Sequence, residues 1–193
     1  MTRAAPPGVE AMLLDFDRAA HSVFRLETLQ VYRGSGEEEA ITAFQAGRPV
    51  LEDDEEHRWY ARMLADAAAR GCRNSRVHLV IEPLTDYLRF ELLGAYPFNV
   101  AHGEHVGILP IPHQEWPAEL PQQDFWLFDS ARLYDLHYGD DGTWLGAELT
   151  TDPARVLDAC RWREIALHRA IPWQQYVHSA PGTAAVPAAR GST

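Results

Sequence analysis

Residues 123–149 read QDFWLFDSARLYDLHYGDDGTWLGAEL. Three aromatic or aliphatic runs stand in this stretch, and the last two are joined by GDDG, where Asp141 and Gly142 suit a tight turn. The pattern predicts an antiparallel meander, and with it the fold class. Directly after it, Asp152 can cap a helix with Pro153 at its first position, and Val156, Ala159, Cys160, Trp162, Ile165 and Ala166 supply a buried stripe. A short helical turn, PWQQYVH, follows.

Working toward the N-terminus, the β signal recurs twice. In VFRLE, Phe24 and Leu26 alternate with Arg25 and Glu27, and in RVHLVIE, Val77, Leu79 and Ile81 alternate with Arg76, His78, Val80 and Glu82. Three helical segments surround these strands. Met12, Leu13, Phe16, Ala19 and Ala20 give an amphipathic helix from Val9 to about Ser22. GSGEEEAITAFQAG reads as a helix opened by Ser35 and closed by Gly47, and RWYARMLADAAARG buries Trp59, Met63, Leu64 and Ala67 before Gly71 ends it. The acidic run LEDDEEH reads as a solvated helix start.

The expected fold is α+β: an antiparallel sheet of about five strands with a C-terminal β-meander, packed by N-terminal and C-terminal helices. It forms one domain over residues 9–178. A flexible N-terminus spans 1–8, and a disordered C-terminal tail spans 179–193, where APGTAAVPAARGST has nothing to bury.

Composition narrows the functional classes. All 17 basic residues are arginine, against 28 acidic ones, for a formal net charge of −11. That balance opposes non-specific nucleic-acid binding and attachment to anionic membranes. Two cysteines, Cys72 and Cys160, and a start without an apolar leader point to the cytoplasm, and no apolar run reaches the roughly 20 residues of a membrane span. The aromatic residues of DFWLFD and WRE are expected in the core rather than on a base-stacking platform.

Residues 71–94, GCRNSRVHLVIEPLTDYLRFELLG, concentrate polar groups on a strand's apolar beat. Arg76 and His78 share one face, and Arg25 and Glu27 share the polar face of VFRLE, so pairing of the two strands would merge them. After Pro83, Thr85 and Asp86 can cap a helix in which Leu84, Leu88 and Leu92 repeat every four residues. That helix puts Tyr87 and Glu91 on one side, whereas a strand would align Tyr87, Arg89 and Glu91. Such a patch supports two uses. Arg25, Glu27, Arg76 and Arg89 would form a ligand-binding set for a phosphate or carboxylate; in an enzyme, His78 would move a proton while Glu91 and Tyr87 oriented substrate. The alternative is purely structural, with Arg25 paired to Glu27 or Glu91 and Arg76 to Glu82.

Other chemistries find less support. His102, Glu104, His105 and His113 lack a complete ligand set, so no metal and no cofactor is expected. There is no nucleophile elbow, dinucleotide fingerprint or phosphate loop.

HSVFRLETLQVY, RVHLVIEPLTDYLRFEL, NVAHGEHVGIL, DFWLFD and WLGAEL, in that order over about residues 10–178, resemble an actinobacterial family of uncharacterised proteins known as a domain of unknown function. The resemblance implies frequent encoding near antitoxin-like helix-turn-helix regulators, and no reaction. Many members carry an acidic residue where this chain has His105. The expected function is thus a regulatory or accessory cytosolic protein that binds an anionic small molecule or a protein regulator. A metal-independent hydrolase or transferase acting on a phosphate- or carboxylate-bearing substrate is the alternative, and an RNA-cleaving toxin would be a special case needing a strong basic patch.

Overall fold

A computed structural model describes residues 7–34, 36–48, 55–112 and 115–179. In chain order the elements are α1 (Val9–Arg18), β1 (Ser22–Glu27), α2 (Glu38–Gln45), α3 (Glu55–Ala69), β2 (Arg73–Ile81) and α4 (Asp86–Phe90). A π-helical turn, Glu91–Ala95, leads into α5 (Tyr96–Ala101). Then come β3 (Glu104–Ile111), β4 (Phe125–Phe128), β5 (Arg132–Tyr138), β6 (Trp144–Thr150), α6 (Pro153–Arg169), β7 (Ile171–Pro172) and α7 (Trp173–Ser179).

The α+β class holds, and the meander of β4, β5 and β6 is present, with Gly142 at φ 83° in the hairpin turn. The sheet departs from expectation in size and character. Among the described residues it has seven strands in the order β6-β5-β4-β1-β2-β3-β7, and β1–β2 and β2–β3 pair in parallel. The reason lies in the connections: α2 and α3 separate β1 from β2, and α4 through α5 separate β2 from β3, which are crossovers a parallel pair requires. The antiparallel pairs lie on the two flanks.

Alternation along the strands divides the core into layers. Phe24, Leu26, Val77, Leu79, Phe125 and Leu127 face α6, whose Val156, Ala159 and Ala166 are buried against them. The opposite face carries Arg25, Glu27, Arg76 and His78 in the centre. On its flanks, Met12 and Phe16 of α1 and Met63, Leu64 and Ala67 of α3 pack on Trp126, Phe128 and Tyr134. Farther along, Val80 and Ile108 receive Leu88, Leu92, Tyr96 and Tyr176.

Helix ends follow local chemistry. Thr85 caps α4 by accepting from the Leu88 amide at 3.1 Å, and Asp152 caps α6 by accepting from Ala154 and Arg155 at 3.0 and 2.9 Å. Helix α1 stops at Arg18, short of the expected Ser22. The Asp129 carboxylate captures the amides of Ala20, His21 and Ser22 at 2.7–2.8 Å and turns the chain into β1. Helix α2 begins at Glu38 with Glu37 in the capping position; Ser35, the expected cap, lies outside the described residues. Trp59 is 40% exposed rather than buried on its helix.

Residues 1–6 and 180–193, where flexible ends were expected, lie outside the described residues as well. Pro7 is not loose, however: its carbonyl accepts from the Ala147 amide at 2.9 Å, so Pro7 and Gly8 lie along the outer edge of β6. Ser179 belongs to α7. Among the described residues no helix is long and apolar enough to cross a membrane.

Candidate functional site

Parallel pairing sets Arg25 beside Arg76 and Glu27 beside His78, while the antiparallel partner of Arg25 on its other side is Trp126. The merged polar patch anticipated from alternation therefore exists, and it lies under α1, α3 and α4 rather than on a wet surface.

Arg76 is buried, and each of its three nitrogens donates to a partner. Nε donates to Glu104 Oε1 at 2.9 Å, Nη1 to both Glu27 oxygens at 3.1 and 3.0 Å, and Nη2 to the Tyr60 hydroxyl at 3.0 Å. Glu82 is not its partner; Glu82 accepts from Tyr176 instead. Glu104 had no place in the expected site. Its signal was its alternation with Val106 and Ile108, which puts it on the same face as Arg76 once β2 and β3 pair.

Arg25 differs from its neighbour. Among the described residues its one polar contact is the ion pair from Nη2 to Glu27 Oε1 at 2.9 Å, and its Nε is buried with no acceptor. The guanidinium lies over the Trp126 and Tyr32 rings, 5.2 and 5.6 Å from their centroids, which holds the fork in place without using its donors.

Glu27 collects both arginines. Burial alone would raise its carboxyl, but the Arg25 and Arg76 guanidiniums outweigh burial and hold it down at about 2. His78 is fully buried behind it. Nε2 lies 2.7 Å from the Leu29 carbonyl, which can only accept, so that nitrogen carries the hydrogen. Burial pushes His78 below its usual value and keeps it neutral, leaving Nδ1 to accept from the Tyr96 hydroxyl at 2.5 Å. The Tyr96 oxygen also lies 3.1 Å from Glu27 Oε2.

Helix α4 and the π-helical turn bring the second half of the site. Tyr87 and Glu91 share a side, as helical spacing required, and the Tyr87 hydroxyl stands 2.7 Å from Glu91 Oε1 and 3.2 Å from Glu37 Oε2. Burial, with the Glu37 and Glu27 carboxylates nearby, pushes the Glu91 carboxyl well above its usual range. A phenol has one hydrogen for two carboxyl neighbours. The raised Glu91 carboxyl favours the neutral acid, which can donate to Tyr87 while Tyr87 donates to Glu37. Arg89 is not brought here; it lies on the exposed side of α4, paired with Asp86 at 2.9 Å.

These groups floor and flank a cavity of about 350 Å3, at the small end of the roughly 300–1,000 Å3 typical of ligand pockets. Arg25, Glu27, Arg76, Tyr87 and Glu91 line it. His78 does not. The walls are mainly apolar: Met12, Leu13 and Phe16 of α1, Trp59 and Tyr60 of α3, and Trp126, Tyr138 and Trp144 of the meander. Leu13 and Trp59, 37% and 40% exposed, place apolar surface at its border.

The histidines considered for metal are scattered. His102 bonds the Phe98 carbonyl, His105 is exposed on the face of β3 opposite Glu104, and His113 lies outside the described residues. Among the described residues no cluster of three or more His, Cys, Asp or Glu side chains is placed to hold a metal ion. Cys72 is buried and Cys160 half-buried on α6.

A mixed sheet with a charged, aromatic-walled cavity under one helical layer defines an α+β protein with a candidate ligand site. The chain belongs to the family described as a domain of unknown function, DUF6879, whose model matches residues 11–178. No curated protein matches it.

Proposed function

We propose that the protein is a regulatory or accessory small-molecule binder whose cavity takes a ligand with an apolar body and one anionic group, most simply a carboxylate, held by Arg25. The observation that carries this reading is the contrast between two adjacent guanidiniums: Arg76 is spent on Glu27, Glu104 and Tyr60, whereas Arg25 keeps donors that the described chain does not answer. A buried donor without an acceptor costs about 1–3 kcal/mol, which an incoming carboxylate would offset. The aromatic and aliphatic walls supply the affinity for the ligand body.

Binding is favoured over catalysis by the position of His78. It lies behind Glu27, with both ring nitrogens engaged and no edge on the cavity. The regulatory part of the reading rests on the association with regulators that the family resemblance implies.

Thermal shift against small carboxylic acids with apolar bodies, such as 3-phenylpropionate and indole-3-acetate, each paired with its primary amide, tests the reading. Acids should raise the melting temperature and amides should not, and Arg25→Gln, checked for folding by circular dichroism, should erase the difference. Acids that stabilise Arg25→Gln as well as wild type, or a panel without effect on wild type, would overturn the assignment.

A further inference from the structure

We infer that the ligand carries a second polar group, an uncharged carboxamide or a like pairing of donor beside acceptor, which meets Asn99 on the wall remote from Arg25. This rests on the reading of Arg25 given above and narrows the ligand class to carboxylic acids with an amide on the far side of an apolar body.

Asn99 stands in α5, is 5% exposed and lines the cavity. Its main-chain carbonyl accepts from the His102 amide at 3.1 Å, but among the described residues its side-chain amide has no hydrogen-bond partner. Nor are its nitrogen and oxygen sealed inside the protein; what surface they keep opens on the cavity that the residue lines. Asn74 shows the other case. It is 4% exposed on β2, does not line the cavity, and its Nδ2 is enclosed without an acceptor. A buried amide that is unpartnered and open to a cavity offers two donor hydrogens and one carbonyl to whatever enters.

The chain goes out of its way to place this residue there. Tyr87, Glu91, Ala95 and Asn99, each four positions on from the last, all line the cavity. In a regular α-helix such a row drifts around the axis by about 40° per step, and so by about 120° from Tyr87 to Asn99. The π-helical turn between them, in which the Tyr96 amide donates to the Glu91 carbonyl five residues back, adds a residue to the turn and takes up part of that drift. Asn99 is thereby kept on the wall that Tyr87 and Glu91 begin.

Its place in the fold sets its place on the ligand. Arg25 belongs to β1, with its guanidinium over the Trp126 and Tyr32 rings, whereas α5 packs on β3, beyond β2. Two strand spacings, about 10 Å, separate β1 from β3. A ligand that meets both residues therefore has its polar groups at opposite ends, with the aromatic and aliphatic walls receiving the body between. The far group is uncharged for a local reason. Glu91 lies on the same helical run and lines the same cavity, so a second anion would meet an acid there, while a carboxamide brings no charge and both donates and accepts.

Isothermal titration calorimetry of the full chain tests this with the para- and meta-carbamoyl derivatives of 3-phenylpropionate. Each is set against the derivative with isopropyl in the same place, which keeps the shape and the free carboxylate and removes donor and acceptor. At least one carbamoyl acid should bind about tenfold more tightly than its isopropyl counterpart, the worth of one or two buried hydrogen bonds. Asn99→Leu, similar in shape to Asn, should erase or invert that preference while still binding the isopropyl acids; Asn99→Ala supplies the same comparison if circular dichroism shows the first variant unfolded. Arg25→Gln should weaken all four acids. Carbamoyl acids that bind no better than isopropyl acids, or whose advantage survives replacement of Asn99, would overturn the amide position and leave the carboxylate reading intact. Absence of Arg25-dependent binding by every acid would overturn both.

Discussion

Arg25 and Arg76 occupy the same register on adjacent strands, and their partners separate their roles. Replacing Arg76 by Ala strands Glu104 and removes half of what holds Glu27, so Arg76→Ala is expected to lose about 3–5 kcal/mol in urea denaturation. Adding Glu104→Gln should recover part of that loss; a single variant within about 1 kcal/mol of wild type would show that the cluster holds nothing. Alternation in VFRLE and RVHLVIE was enough to put Arg25, Glu27, Arg76 and His78 on common faces. It could not supply Glu104, Tyr60 or Tyr96, because which strand and which helix cover a face is a tertiary fact. Arg89 was misplaced for a legible reason. The helical spacing that aligns Tyr87 with Glu91 turns a residue two positions on by about 200°, toward solvent.

At the level of elements, a strand's two-residue beat is the same in parallel and antiparallel pairs, so the meander could be read from its short turns while the central pairing could not. The two helices between β1 and β2 were the available clue to a crossover. Strand β7, with two residues, is too short for any pattern. The outer edge of β6 shows how little sequence a structural device needs. Gly8, at φ 79°, lets Pro7 lie against this strand, and a Cβ at Gly8 would stand 1.9 Å from the Ala147 carbonyl oxygen. Gly8→Ala should therefore destabilise by at least about 1 kcal/mol through backbone strain and the clash, and should free an edge that carries exposed Leu145 and Leu149. Melting temperature and sedimentation velocity check this: an unchanged melting point, or no added self-association, would contradict one half of the expectation each.

For the whole molecule, the buried titrating groups set opposite pH dependences. His78 is depressed, so below its unfolded value of about 6.5 the unfolded chain takes up a proton that the folded one refuses, and stability falls as pH drops toward the folded value. Glu27, lowered from 4.5 to about 2, adds a second loss between those values. Glu91 is raised, so its contribution is complete below the usual glutamate range and is lost as pH rises through its folded value. Glu91→Gln should consequently gain on wild type at pH 8 relative to pH 4 in chemical denaturation; an equal difference at both would mean that Glu91 is ionised in the empty protein. The order of the sheet has a last implication. The cavity floor draws on β1, β2 and β4, with Glu104 of β3 beneath it, and its walls on α1, α3, α4 and the meander, so no contiguous segment contains the site. It is not portable. Excised peptides and loop grafts would carry single side chains out of context, and a recipient scaffold could acquire this chemistry only by inheriting the central strands together with the helices that roof them.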